Sequence, residues 1–243
     1  MPGWLRDTFI YLGALTAFPL VALLAPADPS GPVERARDIA ALERELGLFV
    51  EPALHGWAAP HGTLMAGLGL FYVFAHLPAL GGALVWCALE RPWAYPRLRA
   101  IALTAHGITV LGYLLLPTAP PRLLGDPRFA DTLGGLWGSG GSALAHSVQS
   151  PYAAMPSGHV VFATLAGVSV AVLARPLAVR AVAAAYPVLV LAVTLLTANH
   201  FWLDAVAALA VCGAAGGAVW LLPRLGTHLA ELAQGGRHAA QEG

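Results

Sequence analysis

The chain has 243 residues, 58% of them hydrophobic and 11% charged, with a mean hydropathy of +0.68. A soluble domain carries about 25% charged residues, so this balance excludes an ordinary water-soluble domain and points to the membrane. Formal net charge is zero, all 13 basic residues are arginines, and no basic stripe of the kind that binds nucleic acid is present.

A bilayer-spanning helix needs about 20 mostly apolar residues. Six stretches qualify, at about 9–25, 62–88, 100–116, 158–174, 181–199 and 203–222. The first follows "MPGWLRD" without a small-residue cleavage site, so it reads as an uncleaved span rather than a signal peptide. Between the first two spans, "VERARDIAALERELGLFVEPAL" (33–54) places Ile39, Leu42, Leu46, Phe49 and Val50 at helical spacing among charges. That pattern predicts one amphipathic helix lying at the interface or over the bundle, with no necessary role in substrate handling. Cys87 and Cys212 both sit in apolar runs, and neither a disulfide framework nor a zinc pattern is present. The connection 117–156 is rich in Pro, Gly and Ser, and loops this long inside a compact bundle are usually functional or disordered. The expected fold is therefore all-α: a single integral membrane domain over 1–243 with six transmembrane helices, an interfacial helix and a polar tail at 224–243.

Arginine placement orients this bundle, because short cytoplasmic loops are enriched in basic residues. Arg6, Arg91, Arg97, Arg99, Arg175, Arg180, Arg224 and Arg237 fall on one side of a six-span topology. Both termini are then cytoplasmic. Segment 26–61, with six acids against three arginines, and the long connection lie on the opposite face.

Polar residues cluster at that opposite face. Arg122 follows the third span in "PTAPPR", Ser157 and His159 open the fourth in "PSGH", and His200 and Asp204 sit between the fifth and sixth in "NHFWLDA". Each has a use. Ser157 is a strong helix N-cap candidate after Pro156, and free amides at a helix start attract anions. Gly158 permits close approach of a ligand to the backbone. His200 and Asp204, four residues apart, share a helical face, so the carboxylate can hold one ring nitrogen and leave the other basic. Arg122 can fork its donors onto phosphate oxygens. One cation, one helix start and two imidazoles read as a phosphoryl-transfer site that needs no metal and no cofactor.

"PSGH" followed about 40 residues later by "HFWLD", on consecutive spans, resembles the type 2 phosphatidic acid phosphatase superfamily over about residues 100–215. The resemblance implies roles residue by residue. His200 is the nucleophile on phosphorus, Asp204 orients it, His159 protonates the leaving oxygen, and Arg122 holds the phosphate, with Ser157 and Gly158 adding hydrogen bonds. A phosphohistidine is then resolved by water or by an alcohol. Two family cations are missing: Leu115 stands where a Lys is usual and Thr194 where an Arg is usual. Arg128 is a candidate to replace one. "GYLLLPTAPPR", "SPYAAMPSGH" and "NHFWLDA" together look closest to the inositol phosphotransferase-like branch, which includes fungal inositol phosphorylceramide synthase and bacterial relatives. The motif trio does not separate a phosphatase from a transferase.

The implied partners are a lipid phosphate or phospholipid, the bilayer, and for a transferase an alcohol or polyol acceptor. The implied location is a bacterial plasma membrane with the site on the extracytoplasmic face. Tyr113, Tyr152 and Asn199 flank the site and at least one is expected to bind substrate. His55, His61 and His146 are weaker candidates to touch a head group. His76 and His106 read as neutral imidazoles hydrogen-bonded between spans. The rival reading is a non-enzymatic transporter or phospholipid-binding protein using the same anion pocket. The polar cluster at one face, with no inverted repeat, disfavours a transporter.

Overall fold

The computed structural model describes residues 5–7, 9, 10, 13, 17–130 and 150–239, with side chains for all of these except 18, 19 and 222–239. Much of the first predicted span, together with Trp4, Trp137 and His146, lies outside the described residues. The chain is all-helical, 75% of it helix, and no strand occurs among the described residues. In chain order the helices are α1 (Ala17–Leu23), α2 (Ser30–Glu45), α3 (Glu51–Ala58), α4 (Gly62–Phe74), α5 (His76–Glu90), α6 (Tyr95–Leu115), α7 (Gly158–Leu173), α8 (Leu177–Leu196) and α9 (Trp202–Ala239). A short 3-10 turn spans Pro121–Leu123.

Two predicted single helices are each divided. The amphipathic stretch ends at Gly47, whose φ of +69° suits glycine, and Leu48 N–H reaches back to Glu43 O at 2.7 Å in a helix-terminating turn. Pro52 then starts α3 in the first helical turn, where a missing N–H costs nothing. The second predicted span is bent by 46° between α4 and α5. Pro78 has no N–H for the carbonyl of Phe74 four residues earlier, so the helix breaks there.

Among the described residues, three helices are long and apolar enough to cross a membrane: α6, α8 and the Trp202–Leu221 part of α9. The bent α4–α5 pair makes a fourth if it is one span. Helix α7 has 16 residues, about 24 Å at a helical rise of 1.5 Å per residue, against a hydrocarbon core of about 30 Å. Large apolar side chains such as Leu115, Val172, Val182 and Val188 are exposed on these helices, as expected of a surface that meets lipid.

Helix α7 is the centre of the bundle, packed by α5, α6, α8 and α9. It carries small and apolar side chains all round, and Val161, Phe162 and Ala163 are fully enclosed. Its approach to α8 is close at Gly167, where a Cβ would stand 2.5 Å from Ala183 O. That carbonyl has lost its usual helical donor because residue 187 is proline. Glycine opposite it lets the two backbones meet.

The connectivity brings the end of α6, the start of α7, the end of α8 and the start of α9 to one end of the bundle. Backbone bonds lace these ends together: Thr118 N–H to Tyr152 O at 2.7 Å, Ala154 N–H to Thr118 O at 3.1 Å, Arg122 N–H to Ala198 O at 3.1 Å, and Ser157 N–H to Asp204 O at 3.1 Å. Helix α2 covers this end, where Ala36 and Ala40 pack with Ala119 and Phe201.

Candidate active site

Helix α8 stops in a turn that places His200. Ala198 adopts φ +52°, the left-handed conformation, after which Asn199 N–H and His200 N–H both turn back to Thr194 O at 3.0 and 3.4 Å. This is the terminating geometry usually built with glycine. Thr194, at a position where a cation was missed in the sequence, is fully buried and accepts both bonds. Leu115, the other such position, is 73% exposed at the end of α6.

His200 is buried, and its Nδ1 lies 2.9 Å from Ala154 O and 3.3 Å from Asp204 Oδ2. Both neighbours are acceptors, so Nδ1 carries the hydrogen. In the neutral ring Nε2 is then the bare nitrogen, and no group among the described residues bonds to it. Asp204 is itself held: its Oδ2 also accepts the Phe201 N–H at 2.8 Å. The pair has the form needed for a nucleophilic imidazole.

His159 projects from the first turn of α7, with its ring centroid 5.5 Å from that of His200 and its Nε2 without a protein partner. Tyr72 stacks on it at 3.9 Å with an interplanar angle of 18°, and His76 lies 4.1 Å away. Both neighbours come from the bent α4–α5 region, so the break in that span supplies the walls around His159. A small cleft with about 10 Å³ of free volume adjoins His159, lined also by Phe71, Tyr72, His76, Val193 and Thr194.

Ser157 is the N-cap of α7, accepting the Val160 N–H at 3.3 Å. The Gly158 amide, expected to face a ligand, donates instead to the Tyr113 hydroxyl at 3.0 Å. A Cβ at Gly158 would stand 2.6 Å from that hydroxyl, which explains the glycine through packing against α6. Arg122 Nε donates to Asn199 Oδ1 at 2.8 Å, and the Asn199 amide donates in turn to Thr197 Oγ1 at 2.8 Å. Arg122 and the His200 turn are thus one hydrogen-bonded unit.

Other candidates lie elsewhere. Tyr152 packs at the edge of the Ala36–Phe201 cluster. Arg128 forks onto Asp126, holding that carboxyl down at about 2, and its guanidinium lies 5.8 Å from the Phe49 ring, outside the imidazole cluster. His55 is fully buried: its Nδ1–H donates to Leu196 O at 2.9 Å and its Nε2 accepts from Ala130 N–H at 3.0 Å. His61 bonds Trp57 O, and His106 stacks on Phe162.

Two residues at this end were not foreseen. Glu43 and Glu51 are fully buried, and each caps an amide at the start of α9: Glu51 Oε1 accepts from Trp202 N–H and Glu43 Oε1 from Leu203 N–H, both at 2.7 Å. In sequence they were two of many charges on an amphipathic stretch, and only their partners more than 150 residues away distinguish them. Among the described residues, no group of three or more His, Cys, Asp or Glu is arranged to hold a metal ion.

A family model described as PAP2 superfamily matches residues 37–218, well over half of the chain. No curated protein and no solved structure gives a significant match.

Proposed function

The chain belongs to the PAP2 superfamily, whose members are generally phosphatases or phosphotransferases, and on that premise we propose a phosphohistidine mechanism for it. Membership points to phosphoryl transfer on lipid phosphates. In our reading His200 Nε2 attacks phosphorus and forms the N–P bond as the P–O bond to the leaving group breaks. His159 delivers a proton from Nε2 to the leaving oxygen. In the second half-reaction His159 takes the proton back from water or an alcohol, whose oxygen displaces His200 from phosphorus. Asp204 stabilises the positive charge that develops on His200. Arg122, oriented through Asn199, holds the non-bridging oxygens. No step calls for a metal.

The observation that carries this reading is the hydrogen-bond pattern of His200: two acceptors on Nδ1 and, among the described residues, no donor on Nε2. An imidazole with only a packing role has no need of that arrangement. The two ring centroids lie 5.5 Å apart, which puts both imidazoles at one site.

The membrane setting we propose has six spans, with the site toward the extracytoplasmic end and both termini cytoplasmic. Its support is the segregation of arginines at the opposite helix ends, Arg91, Arg97, Arg175 and Arg180 among them. The motif trio resembles the inositol phosphotransferase-like branch, in which an alcohol or polyol is the acceptor, and water remains the acceptor of the phosphatase alternative.

The test uses purified protein and a lipid phosphate labelled with 32P. Acid-labile, base-stable label on the wild-type chain, absent from His200→Ala, is the expected result. Turnover by His200→Ala at the wild-type rate would overturn the mechanism, and loss of turnover on chelation would point to a metal. Phosphate release in water alone identifies a phosphatase; a strict requirement for an added polyol or second lipid identifies a transferase.

A further inference from the structure

Three carboxyl groups converge on the first turn of α9. Asp204 Oδ2, Glu51 Oε1 and Glu43 Oε1 accept from the consecutive amides of Phe201, Trp202 and Leu203 at 2.8, 2.7 and 2.7 Å. Glu43 ends α2 and Glu51 opens α3, so two covering helices are fastened to the residues that follow His200. Both glutamates are fully enclosed, and neither has an ion-pair partner among the described residues. The second oxygen of each, Glu43 Oε2 and Glu51 Oε2, is buried with no N–H or O–H donor from any other described residue.

Two bare carboxylates side by side in a dry site next to Asp204 would repel one another strongly. One proton between them removes the difficulty, because it satisfies both orphaned oxygens at once and leaves a single negative charge at a helix N-terminus, where the dipole favours it. We propose that Glu43 and Glu51 act as an acid–carboxylate pair sharing one proton, and that this pair clamps the first turn of α9 and so positions His200 and Asp204.

They are positioning residues for the reaction proposed above, and the inference rests on that reading only for its effect on turnover. Burial, reinforced by the charges of Glu51 and Asp204, raises Glu43 to about 8, and burial likewise raises Glu51. Among the described residues, the other groups around the pair supply no counter-charge. Asp204 and His200 face it from α9 and the turn before it. His55, one turn along α3, is spent on Leu196 O and Ala130 N–H, and Arg44 lies over the Phe49 ring at 4.2 Å.

The sign of the pH effect follows. The unfolded glutamate loses its proton near its ordinary value of 4.5, whereas folded Glu43 keeps it to about 8. Folding therefore takes up a proton in that window, and the clamp weakens as pH rises through it. Above it, two adjacent anions push the turn apart.

Glu43→Gln separates this idea from plain packing. Its amide oxygen still accepts from Leu203, and its amide N–H replaces the shared proton at every pH. Full-length wild type, Glu43→Gln and Glu43→Leu are compared in lipid nanodiscs between about pH 6 and 9. The first readout is amide hydrogen exchange over residues 199–206, corrected for intrinsic rates and made without substrate. The second is kcat on a lipid phosphate. Wild type should lose about tenfold in protection and in kcat as pH passes the pair's titration, and Glu43→Gln should lose neither. Glu43→Leu should be unprotected at all pH, with kcat down about tenfold or more and KM little changed. The infrared C=O band of a buried carboxylic acid, present in wild type at neutral pH, should vanish in Glu43→Gln. Superimposable pH dependence of protection in wild type and Glu43→Gln overturns the proposal, as does wild-type protection in Glu43→Leu. Should Glu43→Leu not fold, the glutamine comparison decides alone. Wild type inert toward lipid phosphates would sink the enzymatic reading but leave the exchange test intact.

Discussion

Replacing Asp204 by Asn removes one charge from the site and almost nothing else. Asp204 Oδ2 accepts from His200 Nδ1 at 3.3 Å and from Phe201 N–H at 2.8 Å, while its Oδ1 is buried without a partner. Asparagine with its oxygen in the Oδ2 position keeps both bonds and puts its NH2 where Oδ1 was. Ground-state geometry, and with it substrate binding, should survive. The loss falls on the transition state, where His200 gains positive charge as Nε2 bonds to phosphorus. A hydrogen bond to a charged group is worth about 1.5–3 kcal/mol and a neutral one about 1, so the differential of about 0.5–2 kcal/mol predicts a fall in kcat of roughly 2- to 30-fold. The long 3.3 Å contact argues for the lower half of that range. Steady-state turnover of a lipid phosphate in mixed micelles, with phosphate and lipid products both counted, gives kcat and KM. A kcat within twofold of wild type would refute the claim that Asp204 acts through charge on His200. A large rise in KM at unchanged kcat would instead make Asp204 a substrate-binding group.

Four further outcomes are expected. His200→Ala should lower kcat at least about a thousandfold in the same assay while the helical circular dichroism stays unchanged. Arg122→Ala should reduce kcat/KM by about a hundredfold or more, because a charge-assisted contact to phosphate is lost; Arg128→Ala, already committed to Asp126, should change it less than about threefold. The Arg128–Asp126 pair is exposed, so its stabilising effect is small; it is present above the ordinary carboxylate range and fades as pH falls toward about 2, readable as thermal midpoint against pH. Gly167→Ala should destabilise the bundle by roughly 1–3 kcal/mol in a reversible unfolding assay, since its Cβ would stand 2.5 Å from the rigid Ala183 carbonyl; no change there would mean that α7 and α8 can part freely.

How far the sequence discloses this molecule depends on the range of the interaction concerned. The apolar runs announced helices because twenty residues of one character are a local property, and α6 and α8 lie close to their predicted stretches. Ser157 was legible as a cap since a cap acts three residues ahead, and the His200–Asp204 pair was legible since one helical turn separates them. The breaks were harder. Gly47 and Pro52 were present in the sequence as a stop and a start, yet the periodicity of the flanking residues ran on through them and hid the division between α2 and α3. Pro78 was likewise outweighed by the hydropathy of the stretch around it.

The glutamates show where sequence reading runs out in principle. Nothing within ten residues of Glu43 distinguishes it from Glu45, which faces solvent, until α9 is laid across the end of α2. Gly158 makes the same point in reverse. Its motif invites a ligand to the backbone, but the Tyr113 hydroxyl from the neighbouring helix already takes that amide. A motif specifies which groups are available, and the packing of distant segments decides which of them are spent. Here packing spends the helix-start amides of α9 on Asp204, Glu51 and Glu43 and ties Arg122 to Asn199. Among the described residues it leaves the Nε2 atoms of His159 and His200 unbonded, as the proposed reaction requires: one nitrogen to attack and another to carry a proton.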